Sequence, residues 1–510
     1  MATTVRMKKR ETAFSTPITE QVKSMEDRIL EITNADYDYL YPTWDMLEDC
    51  YMGGGKITNA GDDVYLVKRL REEDDHYAMR KKRAKYYNKC KQVISTLHGH
   101  MWRKRPVRKL PTALEDIVNN VDREGSDADW FFSSTTEWSM VYGPYYILVE
   151  YPKVIREDRR LMSADEERRL NLRPYFTKIK PSNLLDWRFT WYNGQKILDW
   201  IVIREEAEID HQPFLRKEMK TRYKLYGRDN IEIWQYKDTP KGSKKRIAER
   251  IDKYDNTLGM VPLVPFWCDY IRFGVAKSAL YDISMLNIEH YNKHSDKDNC
   301  EYYAGFPVHV FRGIGDKGKE IVVGEDHGVR FPRPESDFKI EEFKGTSIES
   351  LRKTEADIVM EIYDIAMKQV RNLSYQKQTA ESKRLDKMDA SSDLKRRAMG
   401  YADAEKRCWQ IAGMWMPTKV MESDIDKIAV TYNTDYVVEQ IQADMIKALL
   451  DLNSMEKISD ETLWTILQRE ELLSPDFDPE EEKQKIRAES NSRATPNFSV
   501  TNNELAEKGE

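Results

Sequence analysis

The stretch "QKQTAESKRLDKMDASSDLKRRAMGYADAEKRCWQ", residues 376–410, has helical composition and no evident catalytic group. Placed on a helical wheel at about 100° per residue, Lys377, Arg384, Lys387 and Lys395 share one sector with Lys383 at its edge, and Asp386, Asp389 and Asp393 lie opposite. In this half only Ala380, Leu385, Met388, Ala390 and Leu394 are apolar, too few for an ordinary core helix. From Leu394 on the pattern changes: Ala398, Tyr401, Ala402, Cys408, Trp409 and Ala412 form a stripe fit for burial. One helix with a buried C-terminal half and an N-terminal half projecting into solvent or a partner is therefore expected. From 378 to 413 it would span roughly 54 Å.

Two readings of the charged half stay open. One is a solvated helix held by i,i+4 ion pairs. The other is a ring, in which the acidic face of one copy meets the basic face of the next, or the basic sector lines a lumen. The charge distribution raises the same question elsewhere. Net charge is −6, yet residues 80–109, "RKKRAKYYNKCKQVISTLHGHMWRKRPVRK", hold twelve Lys or Arg and no acid. Such a run points to a polyanion or to complementary protein neighbours. Its interleaved Tyr86, Tyr87 and Trp102 suit nucleic-acid contacts, and a solvated or subunit-facing helix suits the run equally.

With 510 residues the chain has room for two or three domains. One third of it is charged, mean hydropathy is negative, and no run approaches the length of a membrane span. The opening "MATTVRMKKRETAF" has basic residues without an apolar stretch, so no secretory signal is expected. Cys50, Cys90, Cys268, Cys300 and Cys408 are scattered and odd in number, which suggests reduced thiols in a cytoplasmic setting.

The texture changes along the chain. "TPITEQVKSMEDRILEI" and "HYAMRKKRAKYYNKCKQVISTLHGHMW" read as helices, the second stopped by "RKRP". Residues 140–270 carry short β-branched and aromatic runs punctuated by turns, a sheet-bearing region. Helix returns over 276–302, short strands follow, and a second helix covers roughly 347–370. "IAVTYNTDYV" near 428–437 reads as one strand, 436–473 as helical, and the polar residues beyond about 488 as a disordered tail.

Motifs for chemistry fail on inspection. "GIGDKGKE", Gly313 to Glu320, satisfies GxGxxG, but a strand follows it where a nucleotide loop needs a helix N-terminus, and Glu320 stands where Ser or Thr should bind magnesium. It reads as a hairpin loop. His290 and His294 sit four apart on a helix, but the intervening residues lack the glutamate of HExxH. No catalytic residue, metal ligand set or cofactor site is expected, and the chain is not read as an enzyme.

The order of elements and several phrases resemble the portal protein of tailed bacteriophages, in the full-length single-chain branch. "YYNKCKQVISTLHGHMWRKRP" is similar to that family's helix ending in G-x-x-[FW]-R-K-x-P, "VYGPYYILVEYP" to its G-x-x-x-ILV-x-YP strand, and "VPLVPFW" to its Pro-flanked apolar stretch. "LYDISMLNIEHYNKHSDKDNCEYYAGFPVHVFRG", "TAESKRLDKMDASSDL", "TYNTDYV" and "KISDETLWTILQREELLSPDFDPEEE" follow in the family's order, so the resemblance covers about residues 65–485.

The resemblance implies a mixed α+β, helix-rich portal fold with wing, stem, clip, tunnel helix and helical crown. Residues 1–275 would be the wing, 276–302 and 347–370 the stem helices, and 303–346 a β-rich clip. Residues 371–378 would be the tunnel loop, 379–415 the tunnel helix, 416–435 a return strand to the wing, 436–487 the crown and 488–510 the tail. A homo-oligomeric ring, usually a dodecamer, would surround a channel for double-stranded DNA at one capsid vertex. Its neighbours would be the major capsid protein, the terminase large subunit, head-completion, adaptor or tail proteins and a scaffolding protein, with no membrane. It would sit in the virion, and in the host cytoplasm during assembly.

On this basis Lys377, Lys383, Arg384 and Lys387 would line the channel, and Asp386, Asp389 and Asp393 would face the adjacent copy. Asp316, Lys317 and Lys319 would lie in the clip loop that meets terminase or adaptor. The tunnel-loop region is more basic here than the small and apolar residues common in the family. A non-portal nucleic-acid-binding protein using residues 80–109 is the alternative.

Overall fold

The computed structural model describes residues 29–153, 169–208, 219–237, 246–305, 308–312, 337–341, 346–368, 380–416, 419–434, 449, 451–455, 457–469, 473 and 477–485. The chain forms two contact units, Met1–Tyr436 and Val437–Glu510. The fold is mixed helix and sheet.

Among the described residues of the first unit, a 3-10 turn (Ile29–Glu31) precedes α1 (Ala35–Met52), whose first turn is capped by the Asn34 carboxamide accepting from the Asp36 N–H. It stops at Gly53 and Gly54, both in the left-handed region at φ 61° and 56°. Next come α2 (Asp74–Arg83) and α3 (Lys89–Met101). The sequence reads one helix across 76–102, whereas the chain breaks it at 84–88. Tyr86 turns inward there to donate to the Cys50 carbonyl at 3.0 Å, and Asn88 caps α3 by accepting from the Lys91 N–H at 2.8 Å. A tertiary hydrogen bond and a local cap thus outweigh helix propensity.

β1 (Val107–Lys109), α4 (Thr112–Val118) and α5 (Ala128–Tyr142) lead into β2 (Pro144–Glu150), every residue of which is buried. β3 (Tyr175–Ile179), β4 (Leu184–Tyr192), β5 (Gln195–Glu208), β6 (Met219–Gly227), β7 (Asn230–Tyr236), β8 (Ala248–Asp255) and β9 (Leu263–Trp267) complete the main sheets. One is a three-stranded antiparallel sheet in the order β3-β2-β9, the other a five-stranded meander β4-β5-β6-β7-β8. Side chains alternate across β2, and this divides the interior. Tyr145, Ile147 and Val149 join the larger core with Phe132, Phe176, Phe266 and Trp409. Tyr146 and Leu148 join a second core with Ile201, Ile203 and Tyr226 of the meander. Strands β4 and β5 turn through Asn193 and Gly194, at φ 48° and 75°, the Asn-Gly chemistry of a two-residue hairpin.

β10 (Asp269–Arg272) and β11 (Val275–Lys277) form a small hairpin, so the next helix starts later than the sequence reading, as α6 (Tyr281–Ala304). β12 (Val308–Arg312) pairs antiparallel with β13 (Asp337–Glu341), and α7 (Thr346–Lys368) follows. The long helix α8 runs from Ala380 to Met414 without interruption. Among the described residues of 416–435, β14 (Ala429–Thr431) is the strand, pairing with β1, and Glu422–Ile425 is a helical turn. In the second unit α9 (Asp460–Arg469) buries Leu463, and Trp464 meets Phe477 edge to face at 5.7 Å. Among the described residues no helix is long and apolar enough to cross a membrane.

Gly274 shows how tightly the small hairpin seats. Its φ is +82°, and an added Cβ would lie 2.2 Å from the Trp187 ring, itself wedged against Phe273. Gly274→Ala should therefore lower the unfolding free energy by about 2 kcal/mol or more, measured by chemical denaturation. Gly194→Ala, with nothing within 4 Å of its Cβ, should cost only the left-handed strain of about 1 kcal/mol.

Candidate functional site

The basic run at 80–109 divides into residues spent inside the fold and residues left on its surface. Arg80 is 2% exposed. It donates to Glu72 at 2.7 Å, to the Val67 carbonyl at 2.8 Å and to Ser295 of α6 at 3.3 Å. The Arg80 guanidinium beside Glu72 holds that carboxyl down to about 2. Lys81 pairs with Asp62 at 2.9 Å, and Arg83 donates to Asn299 of α6 and stacks over Tyr302. Arg108 bridges Glu405 and Asp129. The aromatics are committed too: Trp102 donates to Thr136 at 2.9 Å, and Tyr87 stands edge-on to His290 and His294. Lys82, Lys85, Lys91, Arg103, Arg105 and Lys109, half of the twelve cations, stay exposed. The run is thus split between cations drawn to partners within the fold and an equal share left on the surface.

That packet centres on α6. Its buried side mixes Ile283, Ile288 and Tyr291 with many polar residues: Ser284, Asn287, His290, His294, Ser295 and Asn299 are all buried. Asn287 accepts from the Lys89 N–H, and Asn292 accepts from the Val67 N–H while donating to the Tyr65 carbonyl. α7 packs antiparallel to α6, with Arg352 paired to Glu301 at 2.8 Å and Glu355 bonded to His294 at 2.7 Å and Lys297 at 2.6 Å. His290 and His294 are thus packing residues joined through one carboxylate. Among the described residues no group of three or more His, Cys, Asp or Glu is placed to hold a metal ion. The five cysteines carry no disulfide, and all but Cys300 are buried.

In α8 the apolar stripe is buried: Ala398, Tyr401, Cys408, Trp409 and Ala412 have no measurable exposure. It packs on β9 and β2, with Trp409 against Phe176 at 5.2 Å. Two charges lie within the buried part, and the sequence reading missed both. Glu405, fully buried, accepts from Trp409 at 3.1 Å, Tyr432 at 2.7 Å and Arg108. Burial lowers the tendency of Arg108 to stay charged, but Glu405 and Asp129 outweigh it and push its pKa above the ordinary value. Arg397 reaches Asp269 of β10 at 2.9 Å. The signal was available for Glu405, which continues the 398, 401, 402 series by a turn and so had to meet a partner inside.

The proposed channel and contact residues are only partly within reach. Lys377, Asp316, Lys317 and Lys319 lie outside the described residues, as does the 313–320 loop. Lys383, Arg384, Asp386, Lys387 and Asp389 lie on the α8 backbone, with their side chains outside the described part. Asp393 is exposed and pairs within its own helix with Arg396 at 3.2 Å, while Arg396 also reaches Asp269 at 2.7 Å.

A family model described as a domain of unknown function, DUF4055, matches residues 279–416, the span from α6 through α8. Comparison with curated protein sequences found no match. Among solved structures, the chain is similar to chains described as the neck of a native gene transfer agent (GTA) particle computed with C12 symmetry and the neck of an empty GTA particle computed with C6 symmetry. Identities are 10% and 11%, each with a TM-score of 0.36 and covering 74% of this chain and 88% of the other. A chain from the virion of the native particle matches at 10% identity with the same TM-score and coverage. Scores at this level do not establish a shared fold.

The division of the basic run is open to measurement. Glu405→Ala should destabilise the chain by about 3–5 kcal/mol, because Arg108 then loses a buried partner. Lys82→Gln with Lys85→Gln should stay within about 0.5 kcal/mol, since both are exposed. Paired urea melts of the variants and the parent check both figures.

Proposed function

We propose that this chain is the subunit of a portal ring: a non-enzymatic channel for double-stranded DNA at one vertex of a phage-like capsid. The observation that carries the reading is an arrangement within one continuous stretch. Antiparallel helices α6 and α7 flank the paired strands β12 and β13, and α8 follows as a single helix of 35 residues. The C-terminal half of α8 is anchored in the core, which leaves its charged N-terminal half to meet a partner. The sequence phrases that resemble portals run through the same elements in the same order. In this reading Lys377, Lys383, Arg384 and Lys387 face the channel, where phosphate contacts are independent of base sequence and let the duplex slide. Asp386, Asp389 and Asp393 moderate that grip or meet the adjacent copy. The loop with Asp316, Lys317 and Lys319 faces outward to a packaging motor or adaptor, and the ring resides in the virion.

The pairing of Arg80, Lys81, Arg83 and Arg108 within the chain takes four of the twelve cations away from the alternative of a nucleic-acid-binding protein built on residues 80–109.

Light scattering combined with negative-stain imaging of the purified chain tests the proposal. The expected result is a closed ring of about a dozen copies with a central hole. A stable dimer that binds DNA with steep salt dependence would replace it with the alternative, and ATP turnover by the pure chain would overturn the non-enzymatic part. Within rings, replacing Lys377, Lys383, Arg384 and Lys387 by Gln should impair DNA packaging or retention; unchanged packaging would remove these residues from the channel.

A further inference from the structure

The His290 side chain sits where three elements meet. It projects from α6, faces Glu355 of α7 through Nε2 at 3.4 Å, and lies under the Tyr87 ring of the 84–88 linker. It is 3% exposed. One turn on, His294 stacks parallel to it, with ring centroids 6.0 Å apart and planes within 5°. The two imidazoles do not have equivalent surroundings. His294 has a carboxylate at each nitrogen, Glu355 at 2.7 Å and Asp298 at 3.4 Å. His290 has Glu355 at one nitrogen, while its Nδ1 is buried with no hydrogen-bond partner.

We propose that His290 is an acid-sensitive latch: neutral, it lets α6, α7 and the 84–88 linker close on one another, and protonated, it forces that seam open. The neutral ring fits because Nε2–H can donate to Glu355 and the bare Nδ1 asks for nothing more than a lost acceptor site. A second proton creates a buried N–H carrying charge with no acceptor, which is far more costly. The buried Asn287 Nδ2 on the same helix does not help, since it is itself a donor without a partner. Among the charges facing the ring, Glu355 favours a positive His290, but it is shared with other cations. Glu355 already serves His294 and Lys297, at 2.7 and 2.6 Å, and Asp298 faces His294. Lys297 from α6 and Lys89 from α3 both act against a positive His290, as does His294.

Burial, the largest influence, holds the His290 pKa below its ordinary value of 6.5. The folded chain therefore binds fewer protons than the unfolded chain once pH falls below that value. The stability supplied by neutral His290 is fully present above the ordinary histidine range and is lost as pH drops from it toward the depressed folded value. The seam holds at neutral pH and loosens in acid. Because Tyr87 covers both imidazoles, the linker between α2 and α3 should release with α7.

Hydrogen exchange of the full chain, read by mass spectrometry and divided by intrinsic rates, tests this at about pH 7.5 and about pH 5. Amides of α7 and residues 84–88 should lose protection by at least about tenfold at the lower pH, with the β2–β9 strands unchanged. His290→Gln, neutral at every pH, should abolish the loss, while His294→Gln should retain it. Equal protection at both pH values in the parent, or an undiminished loss in His290→Gln, would overturn the latch. Should His290→Gln not fold, imidazole C2-hydrogen exchange on the parent decides instead. His290 must take up its proton over the same pH interval in which protection is lost, and uptake outside that interval overturns the proposal.

Discussion

Burial of β2 on both faces is the constraint from which the first unit is organised. Its alternating side chains feed two cores at once, Ile147 and Val149 on the side of α5 and α8, Tyr146 and Leu148 on the side of the meander. A strand in this position cannot slip by one residue without exchanging every contact on both sides. The neighbouring elements are fixed by what they bring to it. β3 and β9 complete its hydrogen bonds, α5 enters it through Gly143 at φ 95°, and α8 covers its outer face through Trp409. At its end, Glu150 pairs with Lys224 of β6, so a buried ion pair ties the two sheets together.

Around this apolar frame the chain places an unusually polar packet. The side of α6 that turns inward carries Ser, Asn and His beside Ile283, Ile288 and Tyr291, and α2, α3 and α7 bring Arg, Lys and Glu to it. Such a seam holds by matched hydrogen bonds, and its strength depends on the protonation of its members in a way that the β2 core does not. The same logic applies to Glu405, where α8, β1, β14 and α5 converge through Arg108, Tyr432 and Asp129. The long helix is thus anchored both by apolar packing and by a buried charge.

Much of this was legible. The stripe from Leu394 to Ala412 marks a helix face, and burial follows it residue by residue. The runs "YYILVE" and "VPFW" are strands because β-branched and aromatic residues crowd them. The basic run stayed open between two readings for a physical reason. Lysine and arginine at helical spacing look the same whether they face solvent, phosphate or buried carboxylates, and the partners of Arg80, Arg83 and Arg108 lie 8 to 297 residues away in sequence. The break at 84–88 was hidden likewise, since the carbonyl that draws Tyr86 inward belongs to Cys50.

The sequence by itself determined the periodicities: which faces are apolar, where helices and strands alternate, and that the helix Ala380–Met414 has two unlike halves. Periodicity is a property of neighbours along the chain, and so it survives without a fold. Only the tertiary structure decided which charges are spent and which remain. It paired Arg80 with Glu72, sank Glu405 beneath Tyr432, and left one nitrogen of His290 buried without a partner. A charge takes its meaning from what desolvates it and what faces it, and both are set by segments far apart in the chain.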